Sequence, residues 1–123
     1  MSKSFVELTQ AVSAGVEELR AAQPQALAGF SQLARSAMKG GVLDELTKEL
    51  IALAIGVGAR CDACIGFHVK TLIRLGVSRE QLTETLAVAV YMGGGPALMY
   101  AAEAMRAYEE FSVRLKKPEA VPA

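Results

Sequence analysis

Both cysteines of the chain and its sole histidine lie between positions 61 and 68, in the order Cys61, Asp62, Ala63, Cys64, three residues, His68. A thiol attacks only as its thiolate, and imidazole is the side chain suited to taking its proton near neutral pH. On a helix, steps of three and four residues return to one face, so Cys61, Cys64 and His68 fall within an arc of roughly 60°. Leu72 and Leu75 continue this stripe, whereas Asp62, Lys70 and Arg74 lie off it, which predicts that the stripe faces inward. A cysteine at a helix start also meets free N–H groups and the positive end of the helix dipole, both of which favour the thiolate.

A carboxylate can be added by register. If the segment "GVGAR" is the turn of an antiparallel helical hairpin, Glu49 faces His68, Leu53 faces Cys64 and Gly56 faces Cys61. Glu49, Leu53 and Gly56 share one helix face, and Gly56 would let the two backbones approach. A glutamate opposite the histidine could orient the ring and stabilise its charged form, as the third member of a nucleophile, base and carboxylate relay does. Each residue alone also has a structural reading, because free cysteines and lone inward histidines are common core groups. Their joint spacing is what favours chemistry. Met92, Met99 and Met105 with Tyr91 and Tyr100 read as core and pocket lining, and Lys116 with Lys117 as a solvated tail.

The elements that must position these residues are helices. Ala, Leu, Glu and Met dominate and alternating β-branched runs are absent, which predicts an all-α fold of about six helices. Ser4 with Glu7 has capping-box spacing and opens a first helix to about residue 22; Pro24 starts a second that stops near Gly40 and Gly41. Asp44 caps a third, to about Val57. A fourth runs from near Arg60 to Gly76, a residue suited to a left-handed C′ position. Ser78 with Gln81 opens a fifth that ends at the triple glycine 93–95, and Pro96 opens a sixth to about Leu115. The tail "KKPEAVPA" reads as a solvated, poorly ordered end.

The chain has 123 residues, 52% of them hydrophobic, which is enough for one core and too few for two ordinary domains, so 1–123 is expected to be a single domain. Thirteen basic residues balance thirteen acidic ones, leaving no positive field for nucleic acid or an anionic membrane. The amino terminus lacks the pattern of a secretory signal and two cysteines are too few for a secreted disulfide scaffold, so a cytoplasmic location is expected. The uncharged run 85–102 approaches the length of a membrane span, but glycine and proline interrupt it. The helices from about 45 to 57 and from 82 to 102 are apolar nearly all round, which predicts a homo-oligomer that buries them.

The spacing of Glu49, Cys61, Cys64 and His68, followed by "LGVSREQLTETL", resembles the alkylhydroperoxidase-D-like branch of the carboxymuconolactone decarboxylase superfamily over roughly residues 40 to 105. The resemblance implies an all-helical fold, trimers or hexamers, no cofactor and no metal, and a redox-active cysteine pair that reduces hydroperoxides. It also implies that Glu49 and His68, through water, help deprotonate Cys64, with Cys61 as the resolving thiol. A dithiol protein, thioredoxin-like or a lipoyl-type carrier, would then reset the pair. The chain departs from some peroxidase members at Ala63, where they carry a second histidine. The core decarboxylase lacks the redox pair, so the family's name does not describe the reaction expected here.

Other chemistries use the same residues. Cys61, Cys64, His68 and Glu49 could supply four metal ligands, although three donors crowded on one rigid helix fit tetrahedral geometry poorly. The cysteine pair could instead be a redox switch within a binding module, and a decarboxylase-type lyase is a further alternative.

Overall fold

A computed structural model describes residues 3–116. Its five helices are α1 (Phe5–Ala22), α2 (Pro24–Met38), α3 (Glu45–Gly58), α4 (Asp62–Arg74) and α5 (Arg79–Lys116), and no strand occurs among the described residues. The expected tail "KKPEAVPA" lies outside the described residues apart from the backbone of Lys116, the last residue of α5. The expected fifth and sixth helices join as α5. Gly94, at φ 73° and ψ −154°, breaks it where the triple glycine and Pro96 signalled a turn. That backbone region is essentially open to glycine only.

Local chemistry sets the helix ends. Asp44 accepts from the Thr47 N–H at 2.8 Å. Ser78 and Gln81 form a reciprocal box, with Ser78 N–H donating to Gln81 Oε1 at 2.9 Å and Gln81 N–H to Ser78 Oγ at 3.0 Å. At α1 only half of the expected box is local. Ser4 Oγ accepts from the Glu7 N–H, but the free N–H groups of Phe5 and Val6 donate to Glu110 of α5 at 2.9 and 3.1 Å, as does the Ser4 hydroxyl at 2.6 Å.

This distant cap makes stability depend on pH. Burial opposes ionisation of Glu110, but the Ser4 hydroxyl, the N–H groups of Val6 and Phe5 and the nearby Arg106 outweigh it and hold its carboxyl below the ordinary 4.5. A carboxylate depressed in the folded state stabilises above its unfolded pKa, and that contribution is lost as pH falls through the folded value. Glu110→Gln should lower stability at pH 7 by about 1 kcal/mol or less, the size of a lost helix cap after water screens the partly exposed carboxylate. Urea midpoints of variant and wild type should converge as the pH drops below about 4.

The core joins Phe5 of α1, Leu53 and Val57 of α3, Ile65, Val69 and Leu72 of α4 and Leu82 of α5, all fully buried. Close approach of α1 to α4 requires Gly66, because a Cβ there would lie 2.7 Å from Thr9 Cγ2 and 3.3 Å from Phe5 Cδ1. Among the described residues α2 contacts only α1 and α3 and buries none of its side chains.

Two sequence expectations need correction. Leu75 does not continue the buried stripe; it is the C-cap of α4 and is exposed, because the chain turns away at Gly76. Tyr91, Met92 and Met99 are not core within one chain, being 84%, 76% and 59% exposed, while Tyr100 and Met105 do pack against the core. The reason is that α5 is apolar around the glycine break, whereas only one face of it meets α3 and α4. By length and composition α5 would also suffice to cross a membrane, but Gly94 interrupts it at the middle.

Candidate redox site

The turn from α3 to α4 fixes the first cysteine. After the C-cap Ala59, Arg60 takes φ 58° and its N–H donates to Val57 O at 3.1 Å, while the Cys61 N–H donates to Gly56 O at 3.0 Å. These two bonds make a Schellman motif. The same pair of bonds ends α4, where Gly76 N–H meets Ile73 O and Val77 N–H meets Leu72 O, each at 3.0 Å. Glycine holds the left-handed position there; before Cys61 an arginine does. Arg60→Gly should therefore raise stability by about 1 kcal/mol, read as a higher urea midpoint with an unchanged slope.

Cys61 is thus the last residue of one cap and the N-cap of the next helix. Its Sγ accepts from the Cys64 N–H at 3.1 Å, and Cys61 and Cys64 are joined in a disulfide with a Cα–Cα distance of 5.2 Å. Both residues are half-buried.

The carboxylate expected from register meets the histidine. His68 Nδ1 and Glu49 Oε1 are 2.6 Å apart, with Glu49 7% exposed and the His68 side chain 31% exposed. A carboxylate can only accept, so with Glu49 ionised the proton sits on Nδ1 and a neutral ring keeps Nε2 free to take another. At the other end of the hairpin Gly56 meets both cysteines: its carbonyl accepts from the Cys61 N–H, as the register predicts, and a Cβ on it would also lie 3.2 Å from Cys64 Cβ. Gly56 therefore does allow the backbones to approach, at the second cysteine.

An open cavity of about 440 Å³ adjoins the histidine, lined by Glu49 and His68, by Glu45 at the start of α3 and by Ala34, Arg35, Met38 and Lys39. The contribution of α2 was not read from the sequence. What holds α2 there is Lys48, whose Nζ donates to Ala37 O at 2.9 Å and to Lys39 O at 2.7 Å, satisfying carbonyls at the helix end. Lys48 shares α3 with Glu49, but nothing in its local sequence points to a carbonyl of another helix. No group of three or more His, Cys, Asp or Glu among the described residues is arranged to hold a metal ion.

The sequence profile of the carboxymuconolactone decarboxylase family matches residues 24–107, from the start of α2 to the second half of α5. The chain belongs to the carboxymuconolactone decarboxylase family. A carboxymuconolactone decarboxylase family protein from Legionella pneumophila, solved in its apo form, is 53% identical with a TM-score of 0.87, over 88% of this chain and 96% of that one. Another family structure, from Thermotoga maritima and described with a possible involvement in antioxidative response, is 28% identical with a TM-score of 0.80, over 98% of this chain and all of its own. An uncharacterized protein of Cupriavidus necator is 42% identical over 88 residues, 72% of this chain and 78% of that protein. These likenesses agree with the alkylhydroperoxidase-D-like branch of the carboxymuconolactone decarboxylase superfamily, and the matched segment includes Glu49, Cys61, Cys64 and His68.

Proposed function

We propose that the protein is a cytoplasmic thiol peroxidase that reduces hydroperoxides through Cys64 and Cys61. The observation that carries this reading is the Glu49–His68 pair, 2.6 Å apart, with His68 one helical turn along α4 from Cys64 of the joined cysteine pair. His68, oriented by Glu49 at Nδ1, takes the Cys64 proton at Nε2 directly or through one water. The thiolate attacks the terminal peroxide oxygen, the O–O bond breaks, and the alcohol leaves with a proton, placing a sulfenic acid on Cys64. Cys61 thiolate then attacks the Cys64 sulfur; the S–S bond forms, the S–O bond breaks, and water leaves. A dithiol carrier of thioredoxin or lipoyl type reduces the disulfide through a mixed disulfide and is itself oxidised. The possible antioxidative involvement of the Thermotoga maritima relative supports the same reading.

The test is consumption of an organic hydroperoxide coupled to a panel of dithiol donors. Turnover with at least one donor is expected, and none with any donor would remove the enzyme assignment.

The same proposal includes assembly. Ile51 and Ile55 of α3 and Val88, Tyr91 and Met92 of α5 are exposed apolar residues, and Ile55, Val88 and Met92 line a common groove. Contiguous apolar surface of this kind marks an interaction face. A second and third copy of the chain are its occupants in this reading, giving a trimer or a trimer-based hexamer. Light scattering at micromolar concentration should return that mass; a monodisperse monomer would overturn it.

A further inference from the structure

Asp62 lies between the two cysteines in sequence, in the first turn of α4, and its Oδ2 pairs with the Nζ of Lys3, a residue 59 positions away. Lys3 is held in place from several sides. Its carbonyl accepts from Arg106 Nη2 at 3.2 Å, and Arg106 is itself bonded to Glu103 at 2.7 Å and stacked over the Phe5 ring at 5.4 Å. Ser4, Phe5 and Val6, which follow Lys3, are all bonded to Glu110, and α1 is seated on Gly66 of α4 through Phe5 and Thr9. The entry to α1 is therefore built so as to bring an ammonium group to the cysteine turn. The hydrogen bond that Lys3 donates to Asp62 makes it hold its proton more firmly than an ordinary lysine.

The charge this ammonium meets matters for the thiols. An aspartate next to Cys61 opposes a negative charge on that sulfur, working against the Cys64 N–H and the helix N-terminus, which favour it. Among the described residues the turn is also faced by Arg60 directly before Cys61, by Tyr100, Glu103 and Arg106 from α5, and by the Glu49–His68 pair between α3 and α4. Arg106 also feels the Asp62 charge but directs its side-chain bonds to Glu103 and the Lys3 carbonyl, and among the described residues the ion pair to the Asp62 carboxylate comes from Lys3.

We propose that Lys3 is a positioning residue for the redox pair: by pairing with Asp62 it keeps that carboxylate from opposing the Cys61 thiolate, so that Cys61 can close the disulfide at neutral pH. The inference rests on the thiol-redox reading of the site. The step it serves is attack of the Cys61 thiolate on the Cys64 sulfenic acid, which forms the S–S bond and releases hydroxide that leaves as water with one proton.

The test is the rate of iodoacetamide alkylation of Cys61 in the full chain carrying Cys64→Ser, measured across pH at low salt with and without further substitutions. Lys3→Met should slow alkylation at pH 7 about two- to fourfold, and the difference should shrink in about 0.5 M salt. Lys3→Arg should keep the parent rate. Adding Asp62→Asn to Lys3→Met should restore it, because the charge being offset is gone. An unchanged rate in Lys3→Met, or an equal slowing of Lys3→Met with and without Asp62→Asn, would overturn the proposal, the second outcome assigning Lys3 a role in anchoring α1 alone. These readouts need no peroxide, so a protein that fails to turn over hydroperoxide would lose the peroxidase assignment without deciding the role of Lys3.

Discussion

Cys64→Ser should abolish hydroperoxide consumption, and Cys61→Ser should halt the cycle after one equivalent of peroxide with a sulfenic acid trapped on Cys64. Two physical arguments compete over which sulfur attacks. Cys61 is the N-cap of α4, and its Sγ receives the Cys64 N–H at 3.1 Å, which favours negative charge on Cys61. His68, held by Glu49, is one helical turn from Cys64 and two from Cys61, so proton removal favours Cys64. Both preferences are satisfied if Cys64 is deprotonated for the attack and Cys61 is the stabilised thiolate that condenses with the product. Dimedone labelling followed by mass spectrometry reads the outcome directly: label on Cys64 in the Cys61→Ser protein, and none in Cys64→Ser. Label on Cys61 in Cys64→Ser at the wild-type rate would reverse the roles and make the helix terminus, not the relay, the activating feature.

Much of the positioning machinery was legible because it is local. Asp44, Ser78 with Gln81, Pro24 and Gly76 each act through neighbours within a few residues, and each sits at the helix end its chemistry dictates. Glu49 was reachable for a different reason: a short hairpin turn restricts the register, so one assumption about the turn sufficed to put the carboxylate opposite His68. The assumption was incomplete, since Gly56 meets Cys64 as well as Cys61. Facing residues of two packed helices need not keep one constant register along the hairpin.

What the sequence hid are interactions between residues far apart in the chain. Glu110 caps α1 from 106 residues beyond Ser4, in place of the local Glu7, and Lys3, held at the start of α1 by that cap and by Arg106, reaches Asp62 across 59 positions. Lys48 tethers α2 beside the histidine through backbone carbonyls, which carry no sequence signature at all. The arginine at the left-handed position before Cys61 was hidden too, because glycine is the usual signal for that conformation and Gly58 stands two residues earlier. Tyr91, Met92 and Met99 are exposed rather than core, although Met92 does line a groove as expected. Hydrophobicity shows that a side chain favours burial without showing whether its own chain supplies a surface to bury it.

Glu49→Gln should slow peroxide reduction at pH 7 by about a hundredfold, within the range that a positioned general base contributes. The substitution keeps the size of a buried side chain, so the fold should persist and the loss should be chemical. Glutamine can still offer an oxygen to His68 Nδ1, but it can equally present its amide N–H there, which would put the ring proton on Nε2 and remove the lone pair that faces the thiol in the proposed relay. It also removes the negative charge that offsets the imidazolium formed when the proton moves. The effect should depend on pH in a way that a packing defect would not. Above about pH 8.5 an ordinary thiol ionises unaided and needs no base, so the rates of Glu49→Gln and wild type should converge as the pH rises toward about 10. The measurement is the single-turnover rate of peroxide loss across that pH range, with thermal unfolding of both proteins as the control for integrity. A constant ratio of rates at every pH would show that Glu49 supports the hairpin and takes no part in thiol activation, and equal rates at pH 7 would remove the relay altogether.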